Sequence, residues 1–448
     1  MKNRKILAAL AIPCLGLALS APLKAQPLKE AVEQTLQTSP DVLSTAHRRL
    51  SIDQEIKQAR GGYFPKIDLN LGYGRERTDS PTTRVTDPNG VSLNRREAGI
   101  TLNQMLFDGF FVKSEVARHT ARADSAAYGV LGAAENTALK VVEAYLEVLR
   151  RRDLLDVLVK DNLVVHQRTY DQIKLRSESG VGRKADNDQG LARLALAQAN
   201  VMAAESNARE AEITFQRVVG KMPQNLTKPG APDQVMPKDL KNAIEIAMAS
   251  HPILKSAMMD VEAAQAQHRS ARSLHSPRLD LELGYNDNNN ISGLRGDSES
   301  TIAMLRVRYN LFRGGSDEAR VGQTASAINE ATEISHKTMR EVEESIRLSW
   351  NAYTSAHERL APLKQHAEAM EATREAYTKQ FNVGQRTLLD LLDSENEHFT
   401  ARSNYITGQY VELFGKYRVL ASTGKLLESL QIAPPAEATV ASAEKKSN

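Results

Sequence analysis

The stretch Pro65-Lys66-Ile67-Asp68-Leu69-Asn70-Leu71-Gly72-Tyr73 is written again, 212 residues later, as Pro277-Arg278-Leu279-Asp280-Leu281-Glu282-Leu283-Gly284-Tyr285. Its apolar residues fall on every second position, so one face of a strand is apolar and the other carries Lys66, Asp68, Asn70 and Gly72. Partner strands follow after polar loops at about 75–95 and 286–299. In them Ala98, Ile100 and Leu102 alternate with Gly99, Thr101 and Asn103, and Ala303, Leu305, Val307 and Tyr309 with Arg306, Arg308 and Asn310. The Asn-rich run Asn286–Asn290 reads as a solvated loop and not as a calcium site. The repetition reaches outward from these strands. Leu28-Lys29-x-Ala31 returns as Leu240-Lys241-x-Ala243, Leu106-Phe107-x-Gly109 as Leu311-Phe312-x-Gly314, and Val181-Gly182 as Val383-Gly384. The period is far too long for a solenoid, so the chain is a duplicated domain.

Each half reads as helix, two strands, long helix, return helix. The first repeat is expected over 26–220, with strands at about 66–74 and 96–106, a long helix at about 107–179 and a return helix at about 184–220. The second is expected over 240–425, with strands at about 278–286 and 300–311, a long helix at about 312–382 and a return helix at about 386–424. Amphipathic runs at 28–60 and 240–272 open the halves. Residues 221–239 form a linker whose Pro223, Pro229, Pro232 and Pro237 forbid a continuous helix, and 426–448 reads as a disordered tail. Pro362 is expected to kink the second long helix, and Gly129 and Gly132 to weaken the first.

The lengths set the architecture. A helix of about 72 residues is roughly 108 Å long, more than any globular core can bury. The two shorter helices of each half together match the long one, so each half supplies two full-length rods packed in coiled-coil fashion. Four strands with an apolar face suit a membrane sheet, yet they cannot close a barrel, for which about eight is the practical minimum. Open edges are not tolerated in lipid, so several chains must share one barrel: two give eight strands and three give twelve, which leaves an open lumen.

The N-terminus agrees with export. Lys2, Arg4 and Lys5 precede the apolar run Ile6–Ser20 and a small residue, Ala25, which together read as a signal peptide over 1–25. The formal net charge of +3 includes four basic residues of this leader and none acidic, so the mature chain stands at −1 and nucleic-acid binding loses its support. The only cysteine, Cys14, follows Pro13 within the leader, which argues against an acyl anchor and leaves the mature chain without disulfides. No later stretch has the apolar length of a membrane helix. Catalytic motifs, phosphate-cradling glycine loops and metal-ligand spacings are missing. His268 and His275 lack a third ligand nearby, so neither cofactor nor metal is expected and the chain does not read as an enzyme.

The carrying motifs are Tyr63-Phe64-Pro65-x-Ile67, Leu106-Phe107-Asp108-Gly109, Asn310-Leu311-Phe312-x-Gly314-Gly315, and Phe381-Asn382-Val383-Gly384-x-Arg386-Thr387-x-x-Asp390-Leu391-Leu392-Asp393. In this order and in both halves they make the mature chain resemble the TolC-like outer-membrane efflux proteins. Leu106–Gly109 with Ala144-Tyr145-Leu146 is similar to the branch serving type I secretion. The resemblance implies a mainly α fold: a homotrimer whose twelve-stranded β-barrel in the outer membrane of a Gram-negative bacterium joins a long periplasmic α-helical barrel. It further implies an exit duct of a tripartite system, with a periplasmic adaptor and an inner-membrane ABC or other transporter as partners. Asp390 and Asp393 would line the periplasmic aperture. Gly182, Arg183, Gly384 and Arg386 would form the tip turns and latch, and Arg306 and Arg308 would face the barrel lumen. Phe381 stands where family members often carry tyrosine. A small-molecule efflux duct of the same fold is the alternative. A periplasmic coiled-coil adaptor is a second, which leaves the four alternating strands unexplained.

Overall fold

The structure is a computed structural model that describes residues 26–440. The leader expected over 1–25, Cys14 and residues 441–448 lie outside the described residues. In chain order the elements are α1 (Leu28–Thr38), α2 (Pro40–Arg60), β1 (Lys66–Thr78), α3 (Pro81–Arg84), β2 (Val91–Phe107), α4 (Phe111–Val157), a π turn (Leu158–Leu163), α5 (Val164–Glu178) and α6 (Lys184–Val219). The second half repeats them as α7 (Leu240–Ser250), α8 (Pro252–Arg272), β3 (Arg278–Asn289), β4 (Asp297–Arg308), α9 (Ser316–Asn382) and α10 (Leu388–Ser422), closed by α11 (Leu426–Ser429).

Proline punctuates both halves in the same way. The helical runs at 28–60 and 240–272 are each two helices, broken where Pro40 and Pro252 open α2 and α8. A proline ring clashes with a helical residue before it, and Ser39 and His251 are accordingly extended, at φ −65°, ψ 123° and φ −61°, ψ 124°.

The four strands form one antiparallel sheet in the order β1-β2-β3-β4. Its register joins the apolar positions into one band: Leu69 lies opposite Ile100, Ile100 opposite Tyr285, Leu102 opposite Leu283, and Leu281 opposite Leu305. The strands outrun the apolar band, and the loops are shorter than the sequence suggests. Beyond the band the alternation continues with charged residues that pair across strands. Arg95 reaches Glu76 at 2.5 Å, and Arg96 lies 3.8 Å from Asp287 and 3.7 Å from Asp297. Within the chain β1 and β4 each keep one unpaired edge. Among the described residues no helix is long and apolar enough to cross a membrane.

The long helices start later than expected, at Phe111 and Ser316 in place of 107 and 312. The chain first has to turn from strand to helix, through Gly109 and Phe110 (φ 67° and 69°) and through Gly314 and Gly315 (φ 62° and 80°). α9 then runs unbroken through Pro362 and α4 through Gly129 and Gly132. The irregularity falls instead at the π turn. α4, the π turn and α5 have 47, 6 and 15 residues, together one more than the 67 of α9, and a π turn is how a helix accommodates one inserted residue.

The core is a girdle at mid-height of the rods. There Val141, Val142, Tyr145 and Val148 of α4 meet Val32 of α1, Phe215 of α6, and Tyr417 and Leu420 of α10. The proline-rich linker and the chain start are laced onto it. Gln26 bridges Leu226 in parallel fashion, and the Tyr145 hydroxyl accepts from the Thr227 N–H (2.9 Å) while lying 2.7 Å from the carbonyl oxygens of Gln26 and Thr227. The described part of the expected disordered tail belongs to this girdle as well, which corrects that reading. Leu426, Leu427 and Ile432 are buried in the cluster, and buried Glu135 accepts the backbone N–H groups of Leu426 (3.0 Å) and Leu427 (3.3 Å). Apolar spacing too short to register as periodicity hid this segment. Away from the girdle α9 is thinly covered: of its 67 residues only Thr324, Val342, Ile346, Ser349 and Phe381 are buried.

Tyr145→Phe leaves the apolar contacts but removes the part-buried hydrogen bond to the Thr227 N–H. The expected loss is about 0.5–1.5 kcal/mol of stability, read as a lower denaturant midpoint, with earlier proteolysis of the 221–239 linker. An unchanged midpoint would show that the hydroxyl does not tie the linker down.

Candidate functional site

Each half ends in a helical hairpin, and the two turns are built alike. After α5, Gly180 (φ 78°) reverses the chain, and the N–H groups of Val181 and Gly182 both donate to the Arg176 carbonyl, at 3.1 and 2.9 Å. Gly182 has no room for a side chain, since a Cβ there would lie 2.8 Å from the backbone nitrogen of Ser177. After α9, Gly384 (φ 78°) does the same, with its N–H on the Phe381 carbonyl (3.0 Å) and that of Gln385 on Gln380 (2.9 Å). These carbonyls would otherwise be orphans of the helix ends. The apexes present Val181 and Val383 to solvent.

The second hairpin carries the acidic pair. Thr387 caps α10 in a reciprocal box: the Asp390 N–H donates to the Thr387 hydroxyl (3.3 Å), and the Asp390 carboxylate accepts the Thr387 hydroxyl (2.8 Å) and N–H (3.2 Å). The Thr387 hydroxyl and N–H, with the Arg386 charge, hold the Asp390 carboxyl below the usual carboxylate range, so it stays ionised. Arg386 lies over the Tyr377 ring at 4.1 Å, donates to Gln380 at 2.9 Å and stands 4.0 Å from Asp390. Its contacts are thus within its own hairpin. Asp393, one turn on, reaches across to the other half and meets Arg193 of α6 at 3.3 Å. Arg183 opens α6 in an extended conformation and does not join either carboxylate. Phe381 is buried with Ile173, Leu388, Leu391 and Leu392, and Arg176 of the first hairpin stacks on its ring at 5.4 Å.

The structure therefore brings Arg386 to Asp390 and supplies cross-half partners, Arg193 and Arg176, that the sequence reading did not single out. Thr387-x-x-Asp390 was legible as a capping box. Arg193 and Arg176 lie about two hundred residues from their partners and only packing selects them. Above the acidic pair, α10 also buries Glu395 and His398 beside the π turn, where Arg402 pairs with Asp161. Burial raises the Glu395 carboxyl to about 7 and lowers the His398 imidazole. In the sheet, at the opposite end of the rods, Arg306 pairs with Glu282 at 2.7 Å and Arg308 with buried Asp280 at 2.9 Å, all on the polar face. Among the described residues no group of three or more acidic, histidine or cysteine side chains could hold a metal.

With this geometry in place, the comparisons are consistent with one another. The family model described as outer membrane efflux protein matches residues 31–221 and 243–412. The chain is 25% identical over 435 residues to the outer membrane protein TolC of Vibrio cholerae, covering 95% of this chain and 96% of that one. It is 25% identical over 375 residues to the outer membrane efflux protein BepC of Brucella suis, covering 84% and 80%. Proteins named for protease secretion are also similar, at 21–22% identity. Among solved structures, the Campylobacter jejuni CmeC outer membrane channel superposes with a TM-score of 0.78 at 14% identity, covering 89% of this chain and 86% of that one.

The acid on α10 makes the tip sensitive to pH. The folded value of Glu395 lies above its ordinary 4.5, so its protonated form is favoured by folding. That stabilisation is complete below about 4.5 and is lost as the pH rises through about 7. His398, depressed from 6.5, opposes it only at the acidic end. Protection of the first turns of α10, taken relative to the intrinsic exchange rate at each pH, is expected to rise between pH 8 and about 6.5, and Glu395→Gln is expected to abolish most of that rise. The same slope in the variant would remove Glu395 from the account.

Proposed function

The chain belongs to the outer membrane efflux protein family, and from that premise we propose that three copies form the exit duct of a type I protein secretion system. The observation that carries this reading is the sheet with two unpaired edges above rods about 100 Å long. A strand edge in hydrocarbon leaves N–H and C=O groups without partners, so β1 of one copy must meet β4 of the next. Three copies give a twelve-stranded barrel with an aqueous lumen, lined by the face that carries Arg306 and Arg308. The thinly covered surface of α9 is where the neighbouring copy packs.

At the periplasmic end threefold symmetry gathers three copies each of Asp390 and Asp393. Ionised carboxylates that close together repel, favour passing cations and make the shut aperture costly without its ties. Arg193–Asp393 and Arg176–Phe381, which cross between the two hairpins, are those ties. A periplasmic adaptor and an inner-membrane transporter engage the exposed tips and shift the population toward the open state. The chain acts as a conduit and not as an enzyme, and it needs no cofactor. The secretion route is supported by Leu106–Gly109 and Ala144-Tyr145-Leu146 and by the protease-secretion relatives. Likeness to BepC favours the alternative, a small-molecule efflux duct.

The test is mass and planar-bilayer recording of the extracted protein. A trimer with small, cation-selective conductance is expected, rising severalfold in Asp390→Ala/Asp393→Ala as six carboxylates leave the aperture. A soluble monomer without conductance would end the duct reading and restore the periplasmic adaptor. Exchange of the protein into a strain lacking its own duct decides the route: restored export of a protein substrate supports secretion, and restored drug resistance alone supports efflux.

A further inference from the structure

A groove of about 500 Å³ opens between the start of α4 and the end of α8, lined by Phe110, Lys113, Arg269, Arg272, Ser273 and Ser276 among others. Both helices belong to one chain, so the groove exists without a neighbouring copy. Its side of the wall can be read from the strands. Beyond the irregularity at Met105, Phe107 pairs with Leu279 and so shares the apolar face of the sheet. The Phe110 ring packs edge-on against Phe107, at 5.6 Å between centroids, and is 62% exposed. The groove therefore lies on the outward face, directly beneath the rim of the apolar band.

Its charge is uncompensated. Lys113 lies over the Phe110 ring at 5.7 Å, and neither it, Arg269 nor Arg272 has an ion-pair partner among the described residues. The nearby acids are engaged elsewhere: Asp108 accepts the Val112 N–H at 2.9 Å, and Glu115 pairs with Arg118 at 2.6 Å. No acidic residue lines the groove. The backbone is shaped to present it. Gly109 and Phe110 are successively left-handed, and a Cβ on Gly109 would overlap the Ser276 side chain, so the turn seats against the segment just past α8 and throws the ring outward. At the matching offset the second half has Gly315 and Glu318 where the first has Phe110 and Lys113, so the duplication did not preserve this site.

We propose that this groove binds the phosphate headgroup of an anionic phospholipid from the periplasmic leaflet. Arg269, Arg272 and Lys113 hold the phosphate, the Ser276 hydroxyl is within the same lining, and the acyl chains lie against Phe110, Phe107 and Leu279. Cations placed just below an apolar band meet headgroups at the depth where aromatic rings and basic side chains anchor proteins in membranes. A free phosphate would gain the same charges but nothing from the aromatic rim. The inference rests on the reading of the sheet as a membrane wall.

The test is native mass spectrometry of the purified full-length oligomer, stripped of lipid and offered phosphatidylglycerol or phosphatidylcholine. Retention of phosphatidylglycerol is expected, with the preference lowered roughly a hundredfold in Lys113→Gln/Arg269→Gln/Arg272→Gln, at about fivefold per cation. Arg272→Lys, which keeps the charge, should retain most of it. An unchanged thermal melt shows that the triple variant is folded. Equal retention by wild type and triple variant would overturn the site, and complete displacement by inorganic phosphate would make it a free-anion site instead. Uptake of neutral and anionic lipid alike, unaffected by the substitutions, would leave the membrane wall standing and remove the groove. No uptake of either lipid would sink the membrane wall itself.

Discussion

A peptide group that faces hydrocarbon has nothing to bond with except another peptide group, and that constraint governs this chain. β1 and β4 each end the sheet with an unpaired row of donors and acceptors, while the apolar band through Leu69, Ile100, Leu283 and Leu305 is where lipid would lie. Such a sheet is stable only when its edges are met by copies of itself. The rods inherit that arrangement. Because each strand pair feeds two helical columns, closure of the sheet as proposed would also set the helices in a ring, and the sparsely buried surface of α9 would then be covered by the neighbouring copy.

Stability is not spread evenly along the rods. It concentrates at the girdle, where Tyr145 and Phe215 pack at 6.3 Å and where the chain start, the linker and α11 are all tied in. Burial there raises the Glu135 carboxyl to about 7, even though two backbone N–H groups favour its charge. The tips are held differently, by one exposed cross-half ion pair, one stacked arginine and a small apolar cluster of five residues. Exposed ion pairs contribute little, about 0–1 kcal/mol each. In the proposed ring, a strong waist and weakly tied ends would let the ends move while the waist stays packed. The π turn and the buried Glu395 and His398 lie between these regions.

The same logic separates what was legible from what was not. The period-two strands, the glycine tips and the Thr387–Asp390 box are local patterns, and their meaning is contained in a few consecutive residues. The break at Pro40 and Pro252 is equally local and followed from the proline rule, although the periodic runs on either side masked it. The C-terminal segment was misread because three apolar anchors, Leu426, Leu427 and Ile432, form no period. Pro362 drew attention in the sequence, yet α9 is continuous there, and the irregular turn lies in the other half without a proline to signal it.

By itself the sequence determined the duplication, the strand faces and the approximate rod lengths, because periodicity and length act through backbone geometry alone. It also placed the charges of the tip on one short stretch of α10. Only the tertiary structure decided which arginine meets which carboxylate, why Phe381 serves in a packed cluster, and that three cations share an outward groove beneath the apolar rim. Those are encounters between residues far apart in sequence. Their free energy comes from packing, desolvation and charge, which have no value until the chain has folded.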